Sequence, residues 1–407
     1  MPYSVAMLSV HTSPLDTPGR TKDAGGMNIY IRALAAALAR RGIKVDIFTR
    51  CSDPQLPQIV QLDSLVRVIH ISAGPQSPVH KHHLYQYLPT FARQIEEFRS
   101  SEDGYYDVVH SHYWLSGVAA LTLAERWNVP HVTMFHTLAR LKQMAHPDEP
   151  EPPLRLEMEQ QLVQQVDHII AATSDERSQL LRFCGAASNS VSVIPCGVDL
   201  ELFAAHEKEN ARAKLGLETS RPLLLFAGRL DPFKGPDVLL RAASLMKEDA
   251  LVVIVGGRSG QDEDVYKLRE LAVQLGIAER VRFLEAQPQT CMPLLYSAAD
   301  VTVVPSYHES FGFAAVESLA CGTPVVATRA GGLMTVVQHE KTGFLVSRCP
   351  GFFAERLDAL LRDPALRQHM SVAARSSVLQ FGWAHVAEQV HHLYNVLVDE
   401  ANCLLAQ

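Results

Sequence analysis

Apolar runs of roughly four to seven residues alternate with longer amphipathic stretches along the whole chain, the pattern of strands buried on both faces between helices. Runs at 5–10, 45–49, 66–71, 107–110, 131–135, 168–172 and 191–195 predict strands, and stretches at 28–41, 89–99, 115–127 and 154–166 predict helices. The order repeats with strands at 223–226, 251–255, 281–284, 301–304, 325–327 and 343–346, and helices at 236–246, 265–275 and 312–322. Further helical stretches follow, the last from near Trp383. This alternation predicts an α/β protein with two Rossmann-like, doubly wound parallel sheets. A polar, Lys/Glu-rich stretch at 202–222 marks the boundary, which gives an N-terminal domain over 1–200 and a C-terminal domain over 201–383. The proline-rich, acidic segment HPDEPEPP at 146–153 has the composition of a linker, yet the alternation resumes after it, so it reads as a long loop.

Chemistry gathers first at 305–324, PSYHESFGFAAVESLACGTP. A strand, a small-residue loop and a helix start make an anion site, because the first-turn N–H groups of a helix lack intrahelical partners. Glu309 lies in the loop and Glu317 inside the helix. Carboxylates beside an anion site repel phosphate but grip the hydroxyls of a group attached to it, a combination that points to a sugar nucleotide. Upstream, FAGRLDPFKG places Arg229 and Lys234 in a turn between strand and helix, and Gly331 and Gly332 follow the strand after the glutamates. In open α/β sheets ligands collect outside the carboxyl ends of the strands, so these groups are expected to converge on one crevice.

In the first half, Gly25 and Gly26 precede a helix and permit close backbone approach to a bound group. No G-x-G-x-x-G follows a strand there, which weakens a dinucleotide reading. His110 and His112 share a face, but no carboxylate or cysteine is spaced to complete a metal site with them. Asp262, Glu263 and Asp264 imitate a metal-binding DxD, yet they precede a helix, where acidic residues favour the dipole. No metal is expected, and no cofactor.

The bulk numbers narrow the partners. The 407 residues are 47% hydrophobic and 20% charged, with a net charge of −7, which argues against nucleic acid or an anionic membrane as a general partner. Seven cysteines are scattered without a CxxC pair, which suits a reducing cytoplasm better than a disulfide framework. The N-terminus lacks a cationic lead, and no run approaches the roughly 20 apolar residues of a membrane span. A cytoplasmic enzyme is expected, compatible with a peripheral membrane contact and with a homodimer.

GRLDPFKG, HESFGFAAVE, ACGTPVVAT and GG, in that order, closely resemble the retaining family 4 glycosyltransferases of the GT-B fold. HTSP…DAGGMN is similar to the enzymes that add N-acetylglucosamine to inositol phosphate in mycothiol biosynthesis, and more loosely to sucrose-phosphate synthases. The resemblance implies two domains facing a crevice, with the C-terminal helix at 384–407 crossing back onto the first. It implies a UDP-sugar donor contacted by Gly25, Gly26, Asn28, Arg229, Lys234, Glu309, Ser310, Phe311, Gly312, Phe313 and Glu317. Within that set Arg229 and Lys234 would stabilise the departing diphosphate, Glu309 would hold sugar hydroxyls and Glu317 the ribose. His136 would lie beside the anomeric carbon. Lys81, Tyr113, Thr137 and Arg155 match the residues that hold an acceptor phosphate, Arg155 being expected to need that phosphate as its partner. The implied activity is metal-independent, retaining transfer of a glucosyl or N-acetylglucosaminyl group to a phosphorylated polyol or sugar. Three alternatives remain open: a hexosyltransferase of polysaccharide or glycolipid assembly, a UDP-N-acetylglucosamine 2-epimerase-like enzyme, and a nucleotide-sugar sensor that binds without turnover.

Overall fold

A computed structural model describes residues 3–16, 25–145, 151–257 and 263–405. The chain forms two compact units: the described parts of 1–16, 26–197 and 383–407, and the described parts of 17–25 and 198–382.

The first unit holds an eight-stranded sheet of β1 (Ser4–Ser9), β2 (Lys44–Arg50), β3 (Ile59–Asp63), β4 (Val66–Ile71), β5 (Val108–His112), β6 (His131–Met134), β7 (His168–Ala171) and β8 (Val191–Val193). Their order is β3-β4-β2-β1-β5-β6-β7-β8, parallel except for β3, which runs antiparallel along the edge of β4. The inner strands are buried along most of their length, because helices such as Gly26–Ala39, Leu88–Ser101 and Trp114–Trp127 turn apolar faces inward. The β3 edge and the short helix Ala139–Ala145 are absent from the sequence reading. β3 is half exposed, IVQLD, and bulged near Gln61 and Asp63, so it lacks the continuous apolar run of its neighbours. The helix Trp383–Leu405 belongs to this unit: the Trp383 ring lies 5.6 Å from Tyr30, and the Tyr394 hydroxyl is 2.6 Å from His110 Nδ1.

The second unit holds β9 (Leu223–Ala227), β10 (Leu251–Val255), β11 (Val281–Leu284), β12 (Val301–Val304), β13 (Val325–Thr328) and β14 (Gly343–Val346). All six are parallel in the order β11-β10-β9-β12-β13-β14. Leu224, Phe226, Val252, Ile254, Val301 and Val303 form its core with Leu239, Phe353 and Leu357 from the covering helices.

Each sheet reverses its winding once, between β1 and β5 in the first and between β9 and β12 in the second. At such a switch point the loops leaving the two central strands part to opposite faces and open a cleft. The loops that begin at Val10 and after His112 leave one switch point, and 228–235 and 305–312 leave the other. These four loops carry most of the chemistry singled out above.

Candidate functional site

In the second unit the site is built on an ion pair. The Lys234 ammonium lies 2.7 Å from Oε1 and 2.8 Å from Oε2 of Glu309, and the Ser306 hydroxyl donates to Oε1 at 2.7 Å. Burial works against the Glu309 charge, but the Lys234 ammonium outweighs it and holds the carboxyl below its usual range. Arg229 stands in the same turn, its Nε 3.1 Å from Asp231 Oδ2, and it adds to the positive field at Glu309.

The loops that carry this pair are tied to each other. Arg348 donates to the Pro305 carbonyl at 2.9 Å and to the Pro232 carbonyl at 2.7 Å, and the Tyr307 N–H donates to the Phe233 carbonyl at 2.7 Å. The glycine pair completes the loop. Gly332 N–H donates to the Glu309 carbonyl at 2.7 Å, and a Cβ on Gly332 would sit 2.4 Å from the Phe311 Cα. Only glycine permits that approach. Gly312, at φ +104, turns the chain into the helix Phe313–Ala320, which is shorter than the predicted 312–322 because Gly312 at its start and Gly322, at φ +78, beyond its end cannot be helical. The helix starts without a side-chain cap, beside Ser310 and Phe311. Ion pair, positive turn and uncapped helix start together make a place for an anion attached to a hydroxyl-rich group.

Glu317 has partners of its own. It is 6% exposed, accepts from the Tyr296 hydroxyl at 2.8 Å and from Gln289 Nε2 at 3.2 Å, and burial pushes its carboxyl up to about 7 against those two hydrogen bonds. Of the acidic triplet, Glu263 and Asp264 form the first turn of the helix Glu263–Gln274, and Asp262 lies outside the described residues. Among the described residues no three His, Cys, Asp or Glu side chains gather closely enough to hold a metal ion.

In the first unit, β5 and β6 end side by side and deliver Tyr113 and His136. Both have positive φ, 74° and 60°. The Thr137 N–H donates back to the Phe135 carbonyl at 2.7 Å, so His136 sits at the apex of a γ-turn, a strained arrangement that persists only when its surroundings over-determine it. His136 Nε2 is 3.1 Å from His112 Nδ1, a bond that requires one ring to donate and the other to accept. Burial lowers the His136 imidazole to about 3, so it is neutral at neutral pH. Gly25 and Gly26 lead into the helix Gly26–Ala39, and a Cβ on Gly25 would meet nothing within 4 Å. Asn28 is 1% exposed, and its amide donates to Thr12 Oγ1 at 2.8 Å and to the Ser13 carbonyl at 2.5 Å. It thus braces the loop after β1. Residues 17–24 of the glycine loop lie outside the described residues.

Three of the four residues matched to a phosphate pocket come together. Arg155 lies with its guanidinium carbon 4.8 Å over the Tyr113 ring, and its Nη2 donates to the Thr137 carbonyl at 2.8 Å and hydroxyl at 3.3 Å. Lys81 opens the one-turn helix Lys81–His83, whose His82 feels the charges of Glu151 and Lys142. Arg155, however, is already partnered. Its Nε donates to Glu159 Oε1 at 2.7 Å and its Nη1 to Glu151 Oε2 at 2.8 Å, which corrects the expectation that phosphate supplies its counter-charge. The signal for this stood in the sequence: Glu151, Arg155 and Glu159 are spaced i, i+4, i+8, the spacing of helical ion pairs. Ser306, three residues before Glu309 in the same loop, was passed over, and Arg348 and the pairing of His112 with His136 also escaped the sequence reading. No local pattern marks a residue whose partner arrives from another loop.

Comparison with known proteins supplies the remaining findings. Residues 207–377 match the family model described as glycosyl transferases group 1, and residues 24–202 match glycosyltransferase family 4. The chain is 44% identical over 406 residues to a D-inositol 3-phosphate glycosyltransferase of Nocardiopsis dassonvillei, covering 97% of this chain and 94% of the relative. It is 43% identical over 417 residues to a Corynebacterium diphtheriae protein of the same name, covering 99% and 97%. Among solved structures, a sucrose-phosphate synthase from Thermosynechococcus elongatus superposes with a TM-score of 0.91 at 32% identity, over 98% of this chain and 100% of that one. Anabaena HepE in complex with UDP and glucose shares the fold, with a TM-score of 0.76 at 20% identity over 97% and 100%.

Proposed function

This chain belongs to the family 4, group 1 glycosyltransferases, and from that premise we propose that it moves a glucosyl or N-acetylglucosaminyl group from a UDP-sugar to a hydroxyl of a phosphorylated polyol, with retention and without a metal. The observation that carries the reading is the Lys234–Glu309 pair, held beside Arg229 and the uncapped helix start at Phe313. Departure of the nucleoside diphosphate from the anomeric carbon builds negative charge on phosphate and oxocarbenium character on the sugar. Lys234, Arg229 and the backbone N–H groups near Phe311 to Phe313 meet the first as it grows, and Glu309 accepts hydroxyl hydrogens of the sugar.

The bond from the anomeric carbon to the diphosphate oxygen breaks, and the bond to the acceptor oxygen forms on the same face. The acceptor hydroxyl proton passes to the departing phosphate oxygen, which supplies the base. Glu309 is engaged by Lys234 and Ser306 and so is not poised as a nucleophile, which favours this route over a covalent intermediate. His136, which the family resemblance assigns to the anomeric carbon, is neutral and would bring no positive charge there. The names of the 44% and 43% identical relatives support an inositol phosphate acceptor.

One observation favours a second reading. Arg155 is saturated by two carboxylates, as would suit a hexosyltransferase whose acceptor bears no phosphate. The test is a panel of UDP-, GDP- and ADP-sugars offered with inositol and with inositol 3-phosphate, in EDTA, scored by nucleotide release and by the anomeric proton coupling of the product. The proposal expects an α-linked product from an α-linked UDP-sugar, on the phosphorylated acceptor. An inverted product or an absolute requirement for Mg²⁺ or Mn²⁺ refutes the mechanism. Equal kcat/KM for the two acceptors selects the second reading.

A further inference from the structure

Two carboxylates hold Arg155, and they are not equivalent. Glu159 is built into the fold: Oε1 takes Arg155 Nε, and Oε2 takes the backbone N–H of Ala139 at 2.8 Å, at the start of the helix Ala139–Ala145. Glu151 is 3% exposed and divides its oxygens between two cationic side chains, Oε1 to the Lys142 ammonium and Oε2 to Arg155 Nη1. One oxygen on each of two cations is also how a phosphate bridges a lysine and an arginine. Burial works against the Glu151 charge, and Arg155 and Lys142 overcome it.

We propose that Glu151 is a specificity-determining residue of the acceptor site: it occupies the acceptor-phosphate position in the empty enzyme and is displaced when a phosphate group binds. The inference rests on the phosphorylated-acceptor reading above. Its charge logic is direct. Arg155 and Lys142 bring two positive charges, Glu151 and Glu159 two negative ones, so the closed cluster presents no net charge to an arriving anion. When Glu151 leaves, one net positive charge is uncovered next to the Thr137 hydroxyl and the segment that carries Lys81. A phosphate dianion can replace the carboxylate on both cations, because it offers more charge and a third acceptor oxygen. A neutral polyol can do neither, and to it the site stays shut. Saturation of Arg155 is thus how the site refuses unphosphorylated acceptors, and Glu159 keeps the guanidinium aligned through the exchange.

The test measures binding of inorganic phosphate and of inositol 3-phosphate to the full chain by calorimetry, in wild type, Glu151→Gln, Glu151→Asp and Glu159→Gln. Removing the competing carboxylate is expected to tighten phosphate binding about tenfold or more in Glu151→Gln, the scale of one charge-assisted hydrogen bond. Glu151→Asp, one methylene too short to span both cations, is expected to tighten it by a smaller factor and keeps the test open if the amide folds poorly. Glu159→Gln removes the same charge but leaves Glu151 in the phosphate position, so it is expected to tighten binding by less than Glu151→Gln. Phosphate affinity in both Glu151 variants equal to or below wild type overturns the proposal. The acceptor reading fails separately: if wild type shows no preference for inositol 3-phosphate over inositol while Glu151→Gln binds phosphate tightly, the displaceable carboxylate stands and the phosphorylated acceptor falls. A wild-type preference with no gain in the variants leaves the acceptor and removes the displacement. Phosphate binding to none of them removes both.

Discussion

Replacing Lys234 by alanine separates what its charge does for the reaction from what it does for the fold. The ammonium makes contacts of 2.7 and 2.8 Å to the two oxygens of Glu309, so the variant loses a bidentate pair and leaves a carboxylate with the Ser306 hydroxyl at 2.7 Å. Breaking a fully buried pair costs about 3–5 kcal/mol. Here the side chains are 23% and 15% exposed, so solvent takes up part of the field and a loss of about 1–2 kcal/mol in stability is expected. The catalytic loss is larger. Lys234 is fixed before the leaving group departs, and removal of one such preorganised stabiliser lowers kcat by roughly 10²–10³.

Urea unfolding measures the first quantity and single-turnover kinetics with the preferred UDP-sugar the second. A second substitution sharpens the distinction: Glu309→Gln in the Lys234→Ala background removes the orphaned charge, so stability recovers while kcat does not. The protonation sign follows. In wild type the Glu309 carboxyl lies below its unfolded value, so its contribution is present above about pH 4.3 and is lost as pH falls through the lower folded value. Without Lys234 only the Ser306 hydroxyl and the field of Arg229 still oppose burial, so the carboxyl rises and the acidic limb of kcat moves to higher pH. A variant with near-normal kcat and only a raised donor KM would show that Lys234 binds ground and transition states alike, and the role assigned to it would be wrong.

Three further outcomes are expected. Gly332→Ala places a methyl 2.4 Å from the Phe311 Cα and 2.5 Å from its carbonyl oxygen, so the Glu309 loop must shift. A stability loss of about 1–3 kcal/mol with a raised donor KM is expected, and an unchanged KM would detach that loop from the donor. His110 and His131 are buried neutral with pKa values lowered to about 3 by burial. The unfolded chain therefore takes up protons below about pH 6.5 that the folded one refuses, and stability falls by up to about 1.4 kcal/mol per pH unit for each. Thermal unfolding from pH 7.5 to 4.5 checks this, and a flat profile would contradict it. Arg155→Ala leaves Glu151 with only Lys142 and Glu159 with only the Ala139 N–H as partners in the interior, and is expected to cost about 3–5 kcal/mol. A melting temperature equal to wild type would show the triad to be solvated.

The sequence by itself determined the class of the fold. Buried parallel strands must be apolar along their whole length, so runs such as LVVIV at 251–255 announce themselves without knowledge of their neighbours. The edge strand Ile59–Asp63 does not, since one half-exposed strand with polar alternation looks like a loop until β4 lies against it. Loop chemistry was legible as composition: GRLDPFKG and HESFG declare cations, carboxylates and an uncapped helix start within short stretches. What those groups touch was decided only in three dimensions. Lys234 and Glu309 meet across 75 residues of chain, because β9 and β12 are sheet neighbours that deposit their loops at one switch point. His112 meets His136 because β5 and β6 end together. Arg155 is the instructive case. Its type and position suggested an open cation, and its neighbours four residues to either side were visible all along. Whether those carboxylates turn inward to the guanidinium or outward to water depends, for Glu159, on which face of the helix Pro153–Gln165 is buried and, for Glu151, on the path of the chain before that helix. Burial is set by the packing of the whole unit.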